Sequence, residues 1–254
     1  MLLSDLPLSV RFAATPEDVI AAQRLRYEVF VEELGASGDL VDHDLRLERD
    51  RFDSVADHLL LEDRREGGQV VGVYRLITEE AADRAGGFYT EGEYDLSRLR
   101  GSGRRLLELG RSCLHPKYRG GAAMLRLWQG LGDYISDRGI EVMFGVASFH
   151  GVDPSPVAGA LSHLHHRFLA PEALRVRARG DGYQAMNLLP RERIDRVAAM
   201  RATPALIKAY LKLGGMVGEG AYIDRVFNTI DVCLVMDTVT IADGPRRRYA
   251  SQLV

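Results

Sequence analysis

The stretch from residue 105 to residue 149 constrains the fold most. Residues 105–114 read as a strand, and residues 115–121 (His-Pro-Lys-Tyr-Arg-Gly-Gly) as a glycine-containing loop. Residues 122–137 follow as a helix with Leu127, Leu131, Tyr134 and Ile135 on one face, closed by Gly139. Residues 141–149 are a nearly continuous apolar run, as in a central strand buried on both faces. The order strand, glycine loop, helix, strand points to an α/β architecture.

Residues 8–12 alternate and predict a first strand. Thr15-Pro16-Glu17-Asp18 is a helix start, with an N-cap, a proline at the first position and acids at the positive end. That helix is expected to pass Arg26 and Phe30 and stop near Gly35. Residues 36–56 are charged and aperiodic and read as a long loop, and residues 86–103 as a second irregular stretch. Residues 58–61 and 70–78 predict an antiparallel pair. Past Pro154 and Pro156 the composition shifts: 157–169 is helical, 171–203 polar and arginine-rich, and 227–236 a last strand. Thr203-Pro204 opens a helix that ends at Gly214-Gly215. The expected organisation is one domain over 1–254. It has a core at 8–154, a helical or irregular insertion at 155–226, a final strand at 227–237 and a basic tail at 243–254.

With 46% hydrophobic residues the 254-residue chain buries a sizeable core, which excludes wholesale disorder. Lys plus Arg is 33 against 36 Asp plus Glu, so no global positive charge points to nucleic acid. An anionic partner must be met by a local patch. Two cysteines, Cys113 and Cys233, make no disulfide scaffold and no zinc site, and no metal is expected. The start lacks a signal-peptide pattern, and no apolar run approaches the roughly 20 residues of a membrane span. The expected location is the cytoplasm or the cytoplasmic membrane surface.

The loop Arg119-Gly120-Gly121-Ala122-Ala123 runs from a strand into a helix. Small residues let backbone approach a ligand, and free N–H groups at the helix start face an anion such as pyrophosphate. The same segment also serves as an ordinary turn. Neither the dinucleotide-binding nor the P-loop glycine pattern is met. On the preceding strand, Glu108, Gly110 and Ser112 share one face, and Leu109, Arg111 and Cys113 the other. Glu108 is a candidate general base, and Arg111 a clamp for a loop carboxylate; a structural ion pair explains both equally well. His150, at the end of the apolar strand, is a second site candidate. His58-x4-Asp63 has a glycerolipid acyltransferase spacing but sits in an apolar strand pattern, so chance explains it. His163, His165 and His166 have no acid at helical spacing and read as solvated or capping residues rather than metal ligands.

The strand–loop–helix–strand unit with Arg119-Gly120-Gly121-Ala122 resembles the pyrophosphate-binding core of the GNAT acyltransferase superfamily. Arg26-Tyr-Glu-Val-Phe30, Asp50, Asp53, Arg75 and Glu108-x-x-Arg111 are similar to the N-acyl-homoserine lactone synthase branch. There these positions form an acidic–basic cluster beside the acyl-phosphopantetheine site. The segments 24–34, 87–91, 94–97, 108–121, 145–154, 204–220 and 227–231 resemble a sister group, the ornithine N-alpha-acyltransferases. Two departures from the lactone synthases fit that group. The single tryptophan is Trp128 on the helix, not in the loop after Phe30, and some 100 residues follow Pro154.

The resemblance implies a GNAT-like α/β (α+β) fold, a central mixed sheet flanked by helices. It implies no covalently bound cofactor, with acyl-phosphopantetheine on acyl carrier protein, or acyl-CoA, as donor substrate. Glu108, then His150, would take the amine proton, and a backbone N–H near Leu114 would hold the oxyanion. Arg119, Gly120, Gly121, Ala122, Ala123 and Met124 would hold the donor phosphate. Arg26, Phe30, Asp50, Asp53, Arg75, Arg111 and Ser112 would form the substrate cluster. Lys117, Arg119 and Arg126 would receive an acidic carrier protein. Residues 204–213, with Leu206, Tyr210 and Leu213 on one face and Lys208 and Lys212 on another, would touch the inner-membrane surface or pack on the core. The implied acceptor is ornithine, giving a lyso-ornithine lipid. Glycine, lysine or a homoserine lactone precursor as acceptor, and a non-catalytic hemolysin-like membrane protein, are the alternatives.

Overall fold

Thr15 starts the first helix as its sequence dictates. Its hydroxyl accepts from the Asp18 N–H at 3.3 Å, and the Asp18 carboxylate reaches back to the Thr15 N–H at 3.2 Å. This computed structural model describes residues 7–119 and 121–239; Gly120 and the basic tail at 243–254 lie outside the described residues. The strands are β1 Leu8–Phe12, β2 Val41–Asp42, β3 Leu47–Glu48, β4 Asp57–Asp63, β5 Gln69–Thr78, β6 Tyr94–Asp95, β7 Leu106–Leu114, β8 Val142–His150, β9 Arg177–Ala178, β10 Tyr183–Gln184, β11 Met216–Val217, β12 Ala221–Asp224 and β13 Thr229–Asp237. The helices are α1 Pro16–Arg26, α2 Glu79–Ala85, α3 Ser97–Arg100, α4 Gly121–Arg138, α5 Ala158–Phe168, α6 Arg196–Ala202 and α7 Ala205–Lys212.

The described chain divides into two compact units, 7–87 with 109–139, and 88–108 with 140–239. In the first, the strand order is β1-β4-β5-β7, with β1–β4 and β4–β5 antiparallel. Leu59, Leu60 and Leu61 are all fully buried, so β4 is covered on both faces. Leu60 and Val73 pack with Ala22 and Leu25 of α1. Leu59 and Gly72 instead face Gly130 and Leu127 of α4. Since strand side chains alternate, α1 and α4 lie on opposite faces. A Cβ at Gly72 would sit 2.6 Å from Leu114 Cδ2, 3.1 Å from Leu61 Cβ and 3.3 Å from Leu127 Cδ1. Gly72→Ala is therefore expected to destabilise by about 1–3 kcal/mol through overpacking, measurable by urea unfolding.

In the second unit, β7 pairs parallel with β8 only over Leu106–Glu108 against Val142–Phe144. β8 then pairs antiparallel with β13 along its whole length, and β12 and β10 extend the edge. Strand β7 belongs to both units, its first three residues to the second and the rest to the first. The segment 155–226, expected as an insertion, supplies β10, β11 and β12 to this sheet. Strands of two to four residues carry no period that a sequence displays. Helix α7 packs on β13 through buried Ile207, Tyr210 and Leu211. This corrects the expected face, since Leu206 and Leu213 are only half-buried: the helix ends at Lys212, so Leu213 lies beyond its last turn.

Candidate active site

The first unit holds a closed ring of six charged side chains. Arg26 pairs with Glu48, Glu48 with Arg111 (3.0 Å), Arg111 with Asp50 (3.2 Å), Asp50 with Arg75 (2.5 Å), Arg75 with Asp53 (2.9 Å), and Asp53 with Arg26 (2.7 Å). Signs alternate and the sum is zero. All six side chains are at most 8% exposed. Charges this deep persist only if each is paired and hydrogen-bonded. Arg26 also donates to the Glu48 carbonyl at 2.7 Å, and Gln23 to Asp53 at 2.9 Å.

Local chemistry builds the ring. Asp50 and Asp53 form a capping box on the 3-10 turn Arg51–Ser54, aiming both carboxylates inward. The expected loop at 36–56 is thus ordered, with a β2–β3 hairpin and three of the ring's members. Glu48 was not among the residues the sequence singled out. Its only signal is its place in Glu48-x-Asp50-x-x-Asp53, just before a buried strand pair. Arg26 ends α1, and Tyr27–Glu33 continues as a π-helix until Gly35 turns at φ +76°. Phe30 is half-buried against the apolar cluster around Leu25, Val29 and Cys113, not part of the ring. Arg111 has φ +49° in mid-strand, an L-residue in the left-handed region. The expected strict alternation along β7 therefore breaks there. Ser112 is half-buried beside it.

Burial would raise the Asp50 and Asp53 carboxyls, but Arg75 and Arg111 on Asp50, and Arg26 and Arg75 on Asp53, outweigh it and hold both below the ordinary 3.8. Burial likewise opposes the Arg26 charge, and Glu48 and Asp53 reverse this to raise its pKa. A depressed carboxylate contributes stability that is present above its unfolded pKa and is lost as pH falls through the folded value. Urea midpoints are expected to hold steady above about pH 5 and to fall progressively as the pH drops through the ordinary 3.8 toward the depressed folded values. Asp50→Asn should remove part of that acid limb.

The turn into α4 is pinned on its approach. Tyr118 donates to Asp63 at 3.0 Å, and Arg119 makes a two-point contact with Glu33 and donates to the Leu114 carbonyl at 3.3 Å. Arg119 is therefore already paired, while Lys117 is exposed and Arg126 half-buried, donating to the side-chain Oε1 of Gln129 at 3.4 Å. Ala122 is exposed, Ala123 buried and Met124 half-buried on the first turn that Gly121 opens. His115 donates its N–H to Val71 of β5 at 2.9 Å. Neighbouring N–H groups in an extended strand point opposite ways, so the Leu114 N–H is turned away from β5. Gly121→Val is expected to weaken donor binding with little change in Tm, read by titration of the acylated donor.

In the second unit, Glu108 is 2% exposed and clamps the turn Tyr89–Gly92. Its Oε1 accepts from the Thr90 N–H at 2.7 Å and from the Thr90 hydroxyl, and its Oε2 from the Tyr89 N–H at 2.9 Å. Thr90 was not foreseen. His150 is the exposed last residue of β8, opposite Thr229. His166 bonds the Leu189 carbonyl at 3.0 Å and His163 packs edge-on to Phe168, structural roles for both. His58 is buried against the Asp53 carbonyl, Trp128 is half-buried, and burial pushes the Cys113 thiol up to about 12. No described helix is long and apolar enough to cross a membrane.

A GNAT acetyltransferase domain matches residues 25–129, which hold the ring and the turn into α4. The chain is thus a GNAT-type acyltransferase. More narrowly, it belongs to the L-ornithine N(alpha)-acyltransferase family. It is 52% identical to the L-ornithine N(alpha)-acyltransferase of Rhodobacter capsulatus over 100% of this chain and 98% of that one. It is 46% identical to that of Brucella abortus, over 96% and 88%. Among solved structures, FeeM, an N-acyl amino acid synthase from uncultured soil microbes, superposes with TM-score 0.53 at 12% identity, over 91% and 92% of the two chains. The CoA-dependent acyl-homoserine lactone synthase BjaI gives 0.53 at 16%, over 94% and 89%. These two likenesses concern the fold alone.

Proposed function

We propose that this enzyme transfers a 3-hydroxyacyl chain from acyl carrier protein to the α-amine of ornithine, giving lyso-ornithine lipid. The observation that carries the acceptor is the end-to-end identity with proteins named for ornithine acylation. The amine lone pair attacks the thioester carbonyl, a C–N bond forms, and the oxyanion collapses as the C–S bond breaks. The proton lost from the amine goes to a base, and the phosphopantetheine thiolate leaves as the thiol. Glu108 is the proposed base and His150 the second choice. The Leu114 N–H, turned away from β5, is the proposed oxyanion donor. The first turn of α4, with Gly121, Ala122, Ala123 and Met124, is the proposed phosphate site. Arg119 would contribute there only by sharing its contact with Glu33.

The donor is tested by presenting one acyl chain on carrier protein and on CoA, at low and high salt. A carrier protein adds an acidic surface, which rewards Lys117 and Arg126 within a Debye length of roughly 10 Å. The expected result is faster turnover with the carrier protein, slowed by salt and by Arg126→Glu. Faster turnover with acyl-CoA, or indifference to both changes, would refute the carrier-protein assignment.

A further inference from the structure

We infer that the arginine-rich surface spanning residues 188–201 docks the protein on an anionic lipid bilayer. Arg191, Arg193, Arg196 and Arg201 are all exposed, as is Arg167 on the neighbouring helix α5. Both the 3-10 turn Arg191–Arg193 and α6 pack on α5, which gathers these groups. Burial and then the charges of Arg167 and Arg196 lower the His163 pKa, in keeping with that gathering. Among the described residues none of these five arginines has a side-chain carboxylate partner. Several other surface arginines are paired, Arg11 with Asp18, Arg46 with Glu32, Arg49 with Asp42 and Arg119 with Glu33, so what sets this surface apart is the gathering of five unpaired ones. Of the acids in the same stretch, Glu192 and Asp195, the second is engaged in capping α6 through the Val197 and Ala198 N–H groups. The surface is left with excess positive charge.

An apolar crest stands among these charges. Val197 is 70% exposed, more than any other large hydrophobic side chain among the described residues, and Leu188 is 38% exposed. Val197 and Arg201 are four apart on one face of α6. Guanidinium groups around a projecting apolar residue match lipid phosphates above an acyl boundary, and a fluid surface demands no shape complementarity. The choice of a bilayer over an acidic protein rests on the proposed product, an acylated amino acid that partitions into membrane. It also moves the contact away from α7, whose apolar face is covered by β13.

The test mixes the purified full-length chain with vesicles of phosphatidylcholine alone or with an equal share of phosphatidylglycerol, and measures sedimentation. Binding is expected only to the anionic vesicles, weakening with salt. Each arginine strengthens adsorption roughly fivefold, so Arg193→Glu with Arg196→Glu and Arg201→Glu should weaken it by at least about 10². The same triple variant should keep its turnover with soluble carrier-protein donor and no vesicles, which also reports its folding. Vesicle binding is read without any acceptor, so a wrong amino-acid assignment would not disturb it. Equal binding to neutral vesicles, no binding, or an unaffected triple variant would overturn the inference. So would loss of binding on reversing only Arg246, Arg247 and Arg248. A folded triple variant with collapsed turnover in solution would reassign the surface to the carrier protein.

Discussion

Glu108→Gln is expected to lower turnover by about 10²–10⁴, the usual worth of a positioned general base. The substitution keeps the shape but not the hydrogen bonding. Glu108 accepts from the Thr90 N–H, the Thr90 hydroxyl and the Tyr89 N–H. A glutamine has one acceptor oxygen, so its NH2 must face one of these donors. A buried mismatch of this kind costs about 1–3 kcal/mol. Stability and rate must therefore be measured together, by urea unfolding and by single-turnover acylation. Thr90→Val supplies the comparison, since it loosens the turn and leaves the carboxylate. If Glu108 is only a clamp, both variants lose activity in proportion to stability. If it is the base, Glu108→Gln loses far more rate than Thr90→Val at a comparable stability cost.

Arg26→Met is expected to destabilise by about 3–5 kcal/mol, the cost of stranding buried charge. Arg26 is fully buried and touches both Glu48 and Asp53, so its removal leaves two carboxylates facing each other across the gap. That is a large part of the 5–15 kcal/mol typical of a whole domain. Arg26→Met combined with Glu48→Gln and Asp53→Asn should recover much of the loss, because the triple change removes the stranded charge as well. Urea unfolding of the single and triple variants checks this. A single variant within about 1 kcal/mol of the parent would mean that water reaches the ring, which the burial of its members opposes.

How far the sequence reaches is clearest at these two places. Strands β1, β7 and β8 and helix α4 announce themselves because each is a long run with one dominant period or a closing cap. Thr15 as N-cap with Pro16 at the first helical position is a local signal and holds to the atom. The ring is different. Arg26, Asp50, Asp53, Arg75 and Arg111 are visible through family likeness, but closure of the ring through Glu48 depends on β3 meeting the end of α1 and Arg111 of β7, both distant in sequence. No local period encodes such a contact. The positive φ at Arg111 is likewise a product of its surroundings, because arginine has no intrinsic preference for that region. Thr90 was hidden for the same reason: a threonine in a glycine-flanked turn reads as turn chemistry until Glu108 is placed under it.

The most direct test is mass spectrometry of the lipids of a host that makes no ornithine lipid, expressing this chain with its carrier protein. The account predicts a new species of mass ornithine plus one 3-hydroxy fatty acid less one water, absent from cells carrying Glu108→Gln. A species built on glycine, lysine or homoserine lactone, or no new aminolipid from a folded, soluble enzyme, would contradict it.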